Sequence, residues 1–230
     1  MSRCLLCQQQ LIHHYTLKEL LLAPPFYLDQ ICGHCLRKFT RIDPTTACRQ
    51  CCRPGQTRQF CQDCRNDQGK GLMPMTNRSL FHYNQAMHDY FQAYKRHGDY
   101  QMRQMFAGSL RQALSYYQTD YLITYIPTSD KHYQQRQFDP VVGLFADLCP
   151  LETLLKRNAI DWHQSTLKRS ERLKAPQIFI AQAATLAKIS KSKILLVDDI
   201  YTTGTTLRRA GAALRTAGFI GEIESLTLAR

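Results

Sequence analysis

Lys193-Ile194-Leu195-Leu196-Val197-Asp198-Asp199-Ile200-Tyr201-Thr202-Thr203-Gly204-Thr205-Thr206 is the stretch on which the fold turns. Four consecutive apolar residues that end in two acids read as a strand buried on both faces of a parallel sheet, with its polar end at the carboxyl edge. The Thr/Gly turn that follows leads into a helix over residues 205–217, closed by Gly218. Backbone N–H groups of such a turn converge at a helix N-terminus, where the helix dipole also favours an anion. Thr202, Thr203, Thr205 and Thr206 add hydroxyl donors, and Gly204 permits a tight turn or close approach to a phosphate. Asp198 and Asp199 can accept hydrogen bonds from vicinal sugar hydroxyls and help to hold a divalent cation on the ligand. A phosphate clamp beside ribose-hydroxyl acceptors describes a ribose-phosphate site. A Walker-type loop is excluded, because no Gly-Lys-Ser/Thr follows the glycine.

Working outward, residues 121–127 (Tyr-Leu-Ile-Thr-Tyr-Ile-Pro) read as a second buried strand, with a helix over 141–148 after its loop, and residues 222–228 as a further strand. Upstream, Asn84 can cap a helix whose apolar face is Met87, Tyr90, Phe91 and Tyr94 and which stops at Gly98. Asp99 can cap another, with Met102, Met105, Phe106, Leu110 and Leu114 at helical spacing. Strands separated by helices predict an α/β fold with a doubly wound parallel sheet. The polar stretch Asp67-Gln68-Gly69-Lys70-Gly71 reads as a linker, dividing the chain into a cysteine-rich segment, residues 1–70, and an α/β domain, residues 71–230.

Nine of the ten cysteines precede Arg65, and eight of them form four Cys-x-x-Cys pairs: Cys4/Cys7, Cys32/Cys35, Cys48/Cys51 and Cys61/Cys64. In a reducing compartment this pattern means metal. Eight thiolates with no open position point to two structural Zn2+ ions. Sequential sites and a crossed arrangement have the same spacing, and both stay open at this point. Cys52 and Cys149 read as buried packing thiols, and His13, His14 and His34 as solvated or packing residues. The segment has few long apolar runs, so it needs its metal to fold.

The formal charge is +12 over 230 residues, which favours anionic partners such as nucleotides, diphosphates or nucleic acid. No run of 18 apolar residues occurs, and residues 1–12 lack the apolar stretch of a signal peptide. A soluble, cytoplasmic protein with no membrane insertion is the expectation. Around the single tryptophan, Trp162, lie Lys156, Arg157, Lys168, Arg169, Arg172 and Lys174. Two readings compete for them: a single strand stacking on Trp162 with its phosphates on the cations, or a solvated surface helix. Arg136 and Lys95-Arg96 divide in the same way between diphosphate contacts and surface charge.

The decapeptide at 197–206 is similar to the phosphoribosyl-diphosphate (PRPP) signature of type I phosphoribosyltransferases. Beyond it, the whole chain from Cys4 onward resembles the ComF family. The resemblance is carried by the paired cysteines, by Lys95 to Asp99 as that family's Lys-x-x-Gly-Asp segment, and by Ile126-Pro127-Thr128-Ser129 as its Val-Pro-x-Pro strand end. Gln164, Leu167 and Glu171-Arg172 add its Gln-x-x-Leu-x-x-x-x-Arg stretch. Departures occur at Arg136-Gln137-Phe138-Asp139-Pro140, where the family usually has Arg-Gly-Phe-Asn-Gln, and at Ala175, where Asn is common.

The resemblance implies a type I phosphoribosyltransferase-like domain behind a double zinc ribbon, and a role in natural transformation after single-stranded DNA enters the cell. It also implies PRPP with Mg2+ as ligand, Asp198 and Asp199 on ribose hydroxyls and metal, Thr202 to Thr206 on the 5-phosphate, and Thr128-Ser129 near the diphosphate. Two other readings stay open. One is an active transferase with an unidentified base or amine acceptor. The other is a zinc-dependent module for single-stranded DNA or a competence helicase, with the PRPP fold as scaffold.

Overall fold

The computed structural model describes residues 2–12, 28–56, 59–70, 72–158, 177–186 and 192–230. The nucleic-acid candidates Trp162, Lys168, Arg169 and Arg172 lie outside the described residues, as do Gln164, Leu167, Glu171, Lys174, Ala175, His13 and His14.

Four parallel strands form the main sheet: β1 (Thr76–Phe81), β2 (Tyr121–Tyr125), β5 (Lys193–Ile200) and β6 (Glu222–Ala229), in the order β1-β6-β5-β2. A small antiparallel pair, β3 (Leu155–Arg157) with β4 (Phe179–Ala181), stands apart. Along β5 alternate side chains serve opposite faces. Leu195 and Val197 pack into an apolar cluster with Ile123, Leu226, Leu228 and Phe81, against helices α3 (Gln85–Phe91), α4 (Ala107–Leu114) and α6 (Pro140–Phe145). Ile194 and Leu196 belong to a second cluster with Ile223, Leu154, Leu155, Phe179 and Leu186 of α7 (Ala183–Leu186), under α8 (Thr205–Thr216). Both faces are covered, as a doubly wound parallel sheet requires.

Each cysteine group belongs to one of these faces. Cys4 and Cys35 pack with Phe39, Phe81 and Phe106 in the first cluster, whereas Cys48, Cys51, Cys61 and Cys64 pack with Met75, Tyr201 and Leu207 in the second. From the end of the first group into the start of the second, the chain passes over the free edge of β1. The Ile42 amide donates to Leu80 O (2.9 Å), the His82 amide to Thr40 O (2.8 Å), and the Asn77 amide to Gln50 O (2.7 Å). An exposed parallel edge is thereby covered by the protein's own backbone.

Between β1 and β6 runs a buried polar ladder. Asn77 donates to Ser79 Oγ (2.8 Å), Ser225 Oγ donates to Asn77 Oδ1 (3.0 Å), and Ser79 Oγ pairs with Thr227 Oγ1 (2.7 Å). Every hydroxyl in it has a partner, as burial demands.

Several expected boundaries shift. Asn84 does cap α3, its side chain accepting from the Met87 amide (3.0 Å), but the helix runs into a π-helical turn at Gln92–Arg96. Asp99 makes no side-chain cap bond. The continuous helix expected after it is instead a 3-10 segment, Tyr100–Gln104, followed separately by α4. The presumed linker at 67–71 is helical as far as Gly69, because it closes α2 (Gln62–Gly69), where Asp67 meets Arg208 at 3.2 Å. Helix α5 (Asp130–Arg136) and the β3–β4 pair had no counterpart in the sequence reading.

Candidate ribose-phosphate site and metal clusters

The four Cys-x-x-Cys pairs assemble sequentially. Cys4, Cys7, Cys32 and Cys35 form one group and Cys48, Cys51, Cys61 and Cys64 the other, with the ligand atoms of each group within 4.8 Å of one another. Sulfurs arranged tetrahedrally around zinc at about 2.3 Å lie roughly 3.8 Å apart. The sulfur separations here are 3.7 Å for Cys7–Cys32, 3.9 Å for Cys48–Cys64 and 3.5 Å for Cys51–Cys61, so the donor set and its spacing fit that ion. The fold explains why. After Cys7 and again after Cys51 the next residue, Gln8 or Cys52, takes a left-handed backbone (φ 61° and 62°) that turns the chain back on its pair. Cys32 and Cys61 then stand at the N-caps of α1 (Gly33–Leu36) and α2.

Backbone amides aim at the sulfurs: Cys35 N at Cys32 Sγ (3.5 Å) and Cys61 N at Cys48 Sγ (3.3 Å). One thiol in each group is held low despite its burial. Amide hydrogen bonds bring Cys4 to about 6 and Cys48 to about 7, while burial pushes Cys35 and Cys51 up to about 12. Cys52 is a buried thiol directed at Ser79 O (3.7 Å), outside the ligand group. Cys149 is buried beside Phe145 O, and that burial raises it to about 11, as befits a packing thiol.

At the carboxyl edge of the sheet, β5 delivers Asp198 and Asp199 while β2 delivers Ile126, Pro127, Thr128 and Ser129. These elements are hydrogen-bonded neighbours, the Ile126 amide donating to Val197 O (3.0 Å). Asp198 is partly buried and accepts from the Asp199 amide (2.9 Å). Burial first, and then the charge of the adjoining Asp199, push the Asp198 carboxyl well above the usual range. Asp199 is ion-paired with Lys95, which reaches in from the π-helical turn. That pairing was not legible in the sequence.

Gly204 is left-handed (φ 73°) at the N-cap of α8. A Cβ there would lie 2.2 Å from the Tyr201 hydroxyl, so both backbone and packing demand glycine. Thr202, Thr203 and Thr206 are exposed and Thr205 half-buried; the Thr203 and Thr205 hydroxyls meet at 2.9 Å. Beneath the loop, buried Tyr201 rests on the second cysteine group. Arg230 stacks on its ring at 5.2 Å and donates to Cys51 Sγ (3.0 Å). Thr202, Thr203 and Thr205 thus line a cleft of about 250 Å³ together with Arg53, Lys70 and Arg208.

Across the edge, Asp139 organises the other loop. One carboxylate oxygen caps α6 by accepting from the Val141 (2.8 Å) and Val142 (3.2 Å) amides; the other accepts from the Thr128 amide (2.9 Å). Ser129 caps α5. Asp139-Pro140 was a readable helix start, an N-cap followed by Pro at N1. Gln137, where a glycine is usual in the ComF pattern, keeps a left-handed backbone (φ 63°).

A phosphoribosyl transferase domain model matches residues 149–230. Along nearly all of its length the chain is similar to two curated proteins named "Competence protein ComFC". One, from Streptococcus pneumoniae (strain ATCC BAA-255 / R6), is 36% identical over 233 residues, covering 99% of this chain and 100% of the relative. The other, from Bacillus subtilis (strain 168), is 29% identical over 234 residues, covering 99% and 94%. Similarity of that extent, over cysteine pairs and carboxyl edge alike, makes this chain a member of the ComFC family of competence proteins.

Proposed function

We propose that the chain acts in competence, as its relatives are named for doing, through a carboxyl-edge site that binds PRPP as its Mg2+ complex. The observation that carries the ligand reading is the glycine-dependent turn at Gly204, which sets a threonine-rich helix N-terminus directly after two acids on the same strand. In this reading Thr202, Thr203, Thr205, Thr206 and the surrounding amides hold the 5-phosphate. Asp198 and Asp199 take the ribose hydroxyls. Thr128, whose amide Asp139 holds, and Ser129, which caps α5, lie beside the diphosphate. Two carboxylates suit Mg2+, which keeps several waters and completes its shell with ligand phosphates; when bound it neutralises the diphosphate charge. Zinc in the two cysteine groups is structural, since all eight positions are thiolate and none is left open.

Calorimetric titration of the zinc-loaded protein with PRPP and Mg2+ tests this. Saturable binding that is lost in Asp198→Asn/Asp199→Asn is expected. Absence of heat at millimolar ligand overturns it.

A further inference from the structure

We infer that Lys95 is an exchangeable counter-ion of the site: its ammonium neutralises Asp199 in the ligand-free protein and transfers to the ligand's diphosphate when the Mg2+ complex arrives. The inference rests on the ribose-phosphate reading above and specifies how that site manages its charge.

The Lys95–Asp199 contact is largely enclosed, with the two side chains only 18% and 14% exposed. A carboxylate in such a place needs a cation, and surface charge is not what Lys95 supplies. Its backbone is firmly anchored. The Arg136 guanidinium donates to Lys95 O (3.1 Å), and the preceding Tyr94, fully buried, donates its hydroxyl to Pro140 O (2.8 Å). The turn that carries Lys95 is π-helical, a geometry enriched at functional positions. Its head is a compact ammonium on a four-carbon stem, 4.7 Å from the centre of the Phe91 ring.

Position supplies the second terminus of the exchange. Arg136 is the last residue of α5, the helix that Ser129 caps, so the turn that carries Lys95 is tied both to the acid pair of β5 and to the helix that follows the β2 loop. A divalent cation and an ammonium repel each other on one carboxylate. With Asp199 holding a divalent cation, Lys95 Nζ would leave that carboxylate, and a diphosphate bound beside it would be the anion able to receive the ammonium.

Two measurements on the full-length, zinc-loaded protein test the exchange. In calorimetry, Lys95→Met frees Asp199 and should bind Mn2+ alone about threefold more tightly. The same variant should bind PRPP with Mg2+ about tenfold more weakly, for want of one charge-assisted contact, and Lys95→Arg should restore part of that loss. A purely structural lysine would shift both affinities the same way, and that result, or PRPP affinity unchanged in Lys95→Met, overturns the inference. The second measurement uses the wild type, so it holds even if a variant fails to fold. Acetylation of Lys95 read by mass spectrometry should rise on adding Mg2+ and fall again on adding PRPP. Equal labelling in all three states overturns the exchange. If wild-type protein binds no PRPP, the ribose-phosphate reading fails instead, and the inference with it, whereas Mg2+-induced exposure of Lys95 would still report competition for Asp199.

Discussion

At Gln137 an L-residue holds a left-handed backbone, a conformation that costs roughly 1–2 kcal/mol when a Cβ is present. The side chain recovers part of this by donating to Gln134 O at 2.5 Å. Glycine would remove the strain but gain entropy in the unfolded chain. Gln137→Gly is therefore expected to raise unfolding free energy by up to about 1 kcal/mol, seen as a higher urea midpoint. A lower midpoint would mean that the Gln134 contact outweighs the strain. Asp139 shows the same economy, since it still caps α6 and still holds Thr128. Within the stretch 136–140 that departs from the family pattern, one side chain thus supplies both a helix cap and a loop contact.

At the scale of elements, the threonine-rich loop after β5 and the second cysteine group share Tyr201 and Arg230, whereas the first group lies in the cluster on the other face. Cys61→Ser/Cys64→Ser is expected to weaken PRPP binding by about tenfold or more, as disturbing a supporting shell does, and Cys4→Ser/Cys7→Ser to weaken it less. Calorimetry on each pair of variants decides it; equal losses would show that the loop is not buttressed by its neighbour. Much of this layout was legible beforehand. Strand β5 announced itself by four apolar residues before two acids, and the cysteine spacing announced the metal groups. Their sequential pairing was not readable, because spacing alone permits crossing. Helix α5 escaped notice because none of its residues is buried, so its sequence carries no apolar periodicity. The helix expected from Asp99 through Leu114 failed for the opposite reason: apolar residues at helical spacing were all buried, but the backbone at Phe106 (φ −118°, ψ 23°) breaks the run. Lys95 and Asp199 meet only through tertiary packing, which no local pattern encodes.

At the scale of the molecule, the cysteine-rich segment and the sheet do not have separate interiors. Cys4 and Cys35 pack with Phe81 and Leu226, and Cys48 and Cys64 with Leu196 and Leu207, in shared clusters. A structural zinc site contributes on the order of 10 kcal/mol, comparable with the whole stability of a typical domain. Chelation is therefore expected to abolish the native fold of sheet and cysteine groups together, visible as loss of the single calorimetric transition. A chelated protein that keeps a cooperative transition for the α/β part alone would contradict this. Among the described residues no helix is long and apolar enough to cross a membrane.

The ladder of Asn77, Ser79, Ser225 and Thr227 has a kinetic corollary. Its partners are 148 residues apart in the chain, so β1 must wait, unpaired on that side, until nearly everything between has been collapsed or looped out. An apolar strand could settle in a slipped alignment during that wait. Here any slip strands amide and hydroxyl groups away from water, so the misaligned species stays costly and reversible, and the last zip of the sheet is self-correcting.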